Sequence, residues 1–162
     1  MVLPVSLLVL GVLLAGCAGA EDSGTPRQRM RTWSDGTSFG ESVGSLKGDS
    51  AAVAAGYRNG RALSSLPNAC NALALDAQNA NDNLPSPDAA LTQQLALAYQ
   101  LYYEAGTACY SNQSAPTMRK VTAQRERGDR LLVEATATVE RIAGIVVSTT
   151  TTLTPTTLGG GF

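Results

Sequence analysis

The sequence predicts an all-α protein: an antiparallel, up-down four-helix bundle between a disordered N-terminal tether and a Thr/Gly-rich C-terminal tail. Three observations lead there. Apolar residues recur at helical spacing through most of the chain. The segments that carry them are joined by short runs of turn formers, which make successive helices antiparallel. Charged residues are only 15% of 162 and alanine is abundant, so the helices must bury small side chains at close range.

The first segment, about Thr37 to Tyr57, places Phe39, Val43, Leu46, Val53 and Tyr57 on one face. Gly36, Gly40, Gly44 and Gly48 also lie four apart, and each interior glycine costs a helix about 1 kcal/mol relative to alanine. Two readings stay open there: a smooth strip for close approach of another helix, or a loose helix held by tertiary packing. The second segment, about Ala62 to Asn81, aligns Leu63, Leu66, Cys70, Leu73, Ala77 and Ala80. With Ser65 as N-cap, Pro67 falls in the first turn, where it is tolerated, and Leu63 falls outside the helix.

The third segment, Asp88 to Tyr110, has the cleanest stripe: Leu91, Leu95, Ala98, Tyr102, Ala105 and Cys109, with Asp88 at its start. The fourth, about Thr117 to Ile145, aligns Val121, Gly128, Leu132, Ala135, Val139, Ile142 and Val146. Its opposite face carries Lys120, Arg127, Arg130, Glu134 and Arg141 and reads as solvated. Beyond Gly144 the chain turns to threonine and glycine and cannot bury enough apolar surface to order itself.

The N-terminus reads as a signal for export. Val2 to Leu14 is almost wholly apolar; as helix it spans only about 20 Å, short of the ~30 Å of a bilayer core. It therefore reads as a signal-peptide core. Leu14-Ala15-Gly16-Cys17 closes it and resembles a bacterial lipobox. The resemblance implies cleavage before Cys17 and a lipid-modified Cys17 carrying fatty chains such as palmitate. An ordinary secretory cut after Ala18 or Ala20 is the competing reading. No Lys or Arg precedes the apolar core, which points to a start further upstream. The expected organisation is a signal peptide over 1–16, a lipid-anchored tether over 17–32, the helical domain over 33–146 and a tail over 147–162. Arg27, Arg29 and Arg31 then lie in the tether and read as solvated, or as contacts to anionic head groups.

Cys70 and Cys109 form the remaining even pair, as expected outside the cytoplasm. From Cys70 to Asp82 a helix runs down about 18 Å, and from Asp88 to Cys109 it climbs about 31 Å. The difference of about 13 Å vanishes if Asn83 to Pro87 stays extended, at about 3.3 Å per residue. Prolines at 85 and 87 favour that conformation in their predecessors. A structural Cys70–Cys109 disulfide is therefore expected.

Taken together, the lipobox, Trp33 near the start of an alanine-rich helical domain, Leu66-Pro67-Asn68-Ala69-Cys70, Pro85-Ser86-Pro87-Asp88 and Cys109 resemble small lipoproteins and secreted proteins of actinobacteria, including mycobacteria. The resemblance spans about residues 33–143 and implies no catalytic residue.

The chain has no histidine, so the commonest general base and metal ligand are missing. Its 12 basic and 13 acidic residues leave a net charge of −1, without the basic stripe of a nucleic-acid partner. The groups left for acid–base chemistry, Asp76, Asp82, Asp88, Glu104, Asp129, Glu134 and Tyr102, are spaced like surface charge. Asn112-Gln113-Ser114 matches a glycosylation sequon, which in a bacterial lipoprotein reads as a chance match. The expectation is a non-enzymatic lipoprotein on the extracytoplasmic face of the cell membrane. It has no cofactor and no metal, and it binds an unknown envelope protein or component. The alternative is a carrier of a small apolar molecule, because Leu97, Tyr99, Leu101 and Tyr103 exceed what one buried stripe needs.

Overall fold

The computed structural model describes residues 24–149. The class is as expected and the helix count is not: five helices are present, α1 (Pro26–Gly36), α2 (Phe39–Gly56), α3 (Leu66–Asn81), α4 (Ala89–Ser111) and α5 (Ala115–Ala143). A hairpin of two-residue strands, β1 (Tyr57–Arg58) and β2 (Arg61–Ala62), lies between α2 and α3.

The extra helix, α1, lies in the segment expected to be tether. Its start is local chemistry. The Thr25 hydroxyl accepts from Gln28 N, the Gln28 side chain accepts from Thr25 N, and Pro26 takes the first helical position. That capping box satisfies two orphan donors at once. Tertiary contacts then hold the helix. Met30 is buried in the core, Trp33 Nε1 donates to Asn83 O at 3.1 Å, and Arg31 donates to Ala143 O at 2.7 Å and Gly144 O at 3.1 Å. The carbonyls at the end of α5 are the negative pole of that helix, which suits a guanidinium. Arg31 is thus held by the fold rather than free in a linker.

Among α2 to α5, each helix packs against the next, α5 returns to α2, and α1 lies against α5 and α2. The directions alternate: Gly56 of α2 meets Leu66 of α3, and Cys70 of α3 meets Cys109 of α4. Tyr102 and Gln94 of α4 meet Asp129 and Leu131 of α5. Phe39, Val43, Leu46, Leu73, Leu95, Tyr102, Val121 and Leu132 are buried in one shared core.

Prolines and caps mark several of the remaining boundaries, although Ser65, expected to cap α3, makes no side-chain cap bond. Pro67 occupies the first turn of α3, and Leu63 lies outside it, 47% exposed. Asp88 Oδ1 accepts from Leu91 N at 2.8 Å and opens α4. Gly144 ends α5 with φ +63°, its N–H and that of Ile145 both reaching Glu140 O. The stripe of α5 therefore stops there, and Val146, expected on it, is 85% exposed. The expected linker at 58–61 is the hairpin, with Asn59 and Gly60 both at positive φ.

Residues 145–148 also belong to the fold. Val147 N donates to Glu140 Oε1 at 3.0 Å, and Ile145 and Val147 pack on the core. The expected tail from 147 therefore begins with ordered residues. The glycines of α2 form no single strip: a Cβ at Gly40 would lie 2.5 Å from Ser148 O, one at Gly56 would press on Leu66, and one at Gly48 would meet nothing.

Candidate functional site

Cys70, in the second turn of α3, and Cys109, in the last turn of α4, are buried and joined, their Cα atoms 5.6 Å apart. Gly106, one turn before Cys109, lets α4 reach the backbone of α3; a Cβ there would lie 2.6 Å from Cys70 O and 2.7 Å from Ala74 N. The expected Cys17 lipidation site lies outside the described residues.

Of the acid–base candidates, the fold brings together Tyr102 and Asp129. The Tyr102 hydroxyl donates to Asp129 Oδ1 at 2.7 Å, and Ser50 of α2 donates to the same oxygen at 2.8 Å. Arg125 donates to Ser50 Oγ at 2.9 Å and pairs with Asp129 Oδ2 at 3.3 Å. Gly128 leaves room for the Tyr102 ring, which would sit 3.1 Å from a Cβ there. Burial first, then the bond to Asp129, pushes the Tyr102 phenol well above its ordinary value. Every member of this cluster is bonded to another, so it joins α2, α4 and α5.

A second polar contact crosses α2 and α3. Asp49 faces Asp76; burial first, then the charge of Asp76 and a hydrogen bond with it, raise the Asp49 carboxyl to about 7. Its Oδ2 is buried and has no hydrogen-bond partner among the described residues.

The other candidates are scattered over separate local tasks. Asp88 caps α4 and Asp82 ends α3. Glu104 accepts from Gln100 and Gln124, and Glu134 accepts from Gln94. Asn112 turns the chain after α4, its Oδ1 accepting from Ser114 N at 2.9 Å. Among the described residues, no three His, Cys, Asp or Glu side chains cluster to hold a metal, and no helix is long and apolar enough to cross a membrane.

Asp49, Ser50 and Arg125 are not among the residues that the sequence singles out. Arg125 and Asp129 stand four apart on one helix, which is a legible pairing signal. For Ser50 and Asp49 no local signal exists, because each meets a residue of another helix: Ser50 meets Asp129 of α5, 79 residues away, and Asp49 meets Asp76 of α3.

Two of the surface recesses are lined by aromatic side chains. The larger, about 380 Å³, lies between α1 and the α3–α4 connection, lined by Gln28, Arg29, Thr32, Trp33, Pro85, Ser86 and Pro87. Trp33 is fixed there by its bond to Asn83 and by Phe39, ring centroids 5.3 Å apart. The smaller, about 260 Å³, lies between α3 and α4, with Tyr99 and Tyr103 on its wall. Of the apolar surplus expected on α4, Tyr99 and Leu101 are core, whereas Leu97 and Tyr103 face solvent.

Compared with protein-family models, curated proteins and solved structures, the chain matches none.

Proposed function

We propose that this chain is a lipid-anchored, extracytoplasmic protein, of the actinobacterial lipoprotein kind it resembles, whose helical domain binds an envelope protein or component without catalysis. The observation that carries the reading is the buried Cys70–Cys109 bridge in a chain whose third cysteine closes Leu14-Ala15-Gly16-Cys17. A bridge of this kind belongs to an oxidising compartment, and the lipobox supplies the membrane. The groove around Trp33 is the favoured contact surface. It holds an immobilised aromatic, two prolines and the polar ends of Gln28, Arg29 and Thr32, the mixture that binding surfaces use.

Mass spectrometry of the chain purified from membranes tests the anchor. The expected species begins at Cys17, carries diacylglyceryl and has two fewer hydrogens from the bridge. A chain cut after Ala18 or Ala20, or a cytosolic chain with Met1 and free thiols, refutes it. In-cell cross-linking tests the groove: Trp33→Ala is expected to lose the adducts that the unaltered chain forms. The second reading, a carrier, rests on the recess at Tyr99 and Tyr103. Native mass spectrometry showing a co-purified apolar molecule would favour it.

A further inference from the structure

The two polar contacts of α2 differ in kind. Ser50 reaches Asp129 and Arg125 on α5, a neutral hydroxyl in a closed network. Its neighbour Asp49 faces another acid, Asp76 on α3. A carboxylate in that position has a buried oxygen with nothing to bond. A carboxylic acid there has a proton to give, and Asp76 is the acceptor at hand.

Among the described residues, no cation forms an ion pair with either acid. The recess beside Asp76 is lined by Ser38, Glu41, Ser42, Ser45 and Asn79, which adds a further acid. From α5, Arg125 is committed to Ser50 and Asp129. From α1, Arg31 is bonded to the end of α5 and Arg29 to Gly24. Lys47 of α2 and Arg58 and Arg61 of the hairpin are exposed. The helix on which Asp49 sits is also a weak helix former, with glycine at 40, 44 and 48.

We propose that the α2–α3 seam is a proton-operated latch, closed while Asp49 and Asp76 share one proton and loosened when that proton leaves to solvent and both are carboxylates. Burial and the neighbouring charge place the change near pH 7 rather than near the ordinary 3.8. The sign follows from the raised folded-state value. The contribution to stability is fully present below about 4 and is lost as pH rises through about 7. The seam therefore tightens on acidification and loosens in mild alkali, the reverse of ordinary acid denaturation. The device holds for the folded domain whatever the domain binds.

The test uses the full chain. Carbon-detected NMR titration of the aspartate carboxyls between pH 3 and 9 is expected to give an Asp49 inflexion near 7. Amide exchange, corrected for its intrinsic pH dependence, is expected to show protection in α2 falling at least tenfold relative to α4 between pH 5.5 and 8.5. Asp49→Asn, which keeps a donor and cannot ionise, is expected to abolish that fall. An Asp49 inflexion below 5, a constant α2-to-α4 ratio, or a fall that survives in Asp49→Asn overturns the proposal. The titration and exchange of the unaltered chain decide it even if the variant does not fold.

Discussion

Gly106 and Gly48 are the same residue doing opposite things. At Gly106 the space for a Cβ is filled by Cys70 O, Ala74 N and Ala74 Cβ, all within 2.9 Å, and backbone atoms of a packed helix do not yield cheaply. Gly106→Ala is expected to destabilise the domain by roughly 1–3 kcal/mol, the cost of overpacking a core. Gly48 lies in mid-helix with nothing near the added methyl. Gly48→Ala is expected to stabilise by about 1 kcal/mol, through helix propensity and a less disordered unfolded chain. Urea titrations of the two variants, read against the unaltered chain, check both signs. A sequence sees two glycines in helical segments; only the neighbouring helix tells them apart.

At the scale of elements, α1 is the instructive case. Its start was legible: Thr25, Pro26 and Gln28 spell a capping box. Its apolar face was not, because only Met30 and Trp33 break a segment with three arginines, too few for a period to register. The helix exists because the fold supplies what its own surface lacks: a slot for Met30, a carbonyl at Asn83 for the indole and the end of α5 for Arg31. Met30→Ala is expected to cost about 2–5 kcal/mol, the usual range for emptying a buried methionine site. Trp33 is the chain's one tryptophan, so its fluorescence reports the docking of α1. In Met30→Ala its emission is expected to shift to the red at lower urea than the loss of helical circular dichroism, because few elements hold α1. Coincident transitions would show that α1 does not undock separately. By contrast, α4 was read from the sequence almost to the residue, because 23 residues with a continuous buried stripe and an aspartate cap leave no competing conformation.

For the whole molecule, the bridge between Cys70 and Cys109 is the longest-range covalent constraint, with a separation of 39 residues. It closes a loop containing most of α3 and α4, so it restricts the unfolded chain strongly. Replacing both cysteines by serine is expected to cost about 4 kcal/mol in the chain-entropy model. The measurement is the urea midpoint of the double variant against the oxidised chain. Equal midpoints would mean that the bridge adds nothing to an already well-packed pair of helices.

By itself the sequence determined the helical class, the approximate extents of α2 to α5 and the cysteine pair. Each of these rests on local periodicity, capping or spacing along one strand of chain. Only the tertiary structure decided that residues 26–36 are helix, that Ile145 and Val147 pack on the core, and that Ser50, Tyr102, Arg125 and Asp129 meet while Asp49 confronts Asp76. The physical reason is range. A cap or an apolar stripe is written within a few turns, whereas a buried hydroxyl, a paired carboxyl or a crowded glycine acquires its energy from atoms tens of residues away.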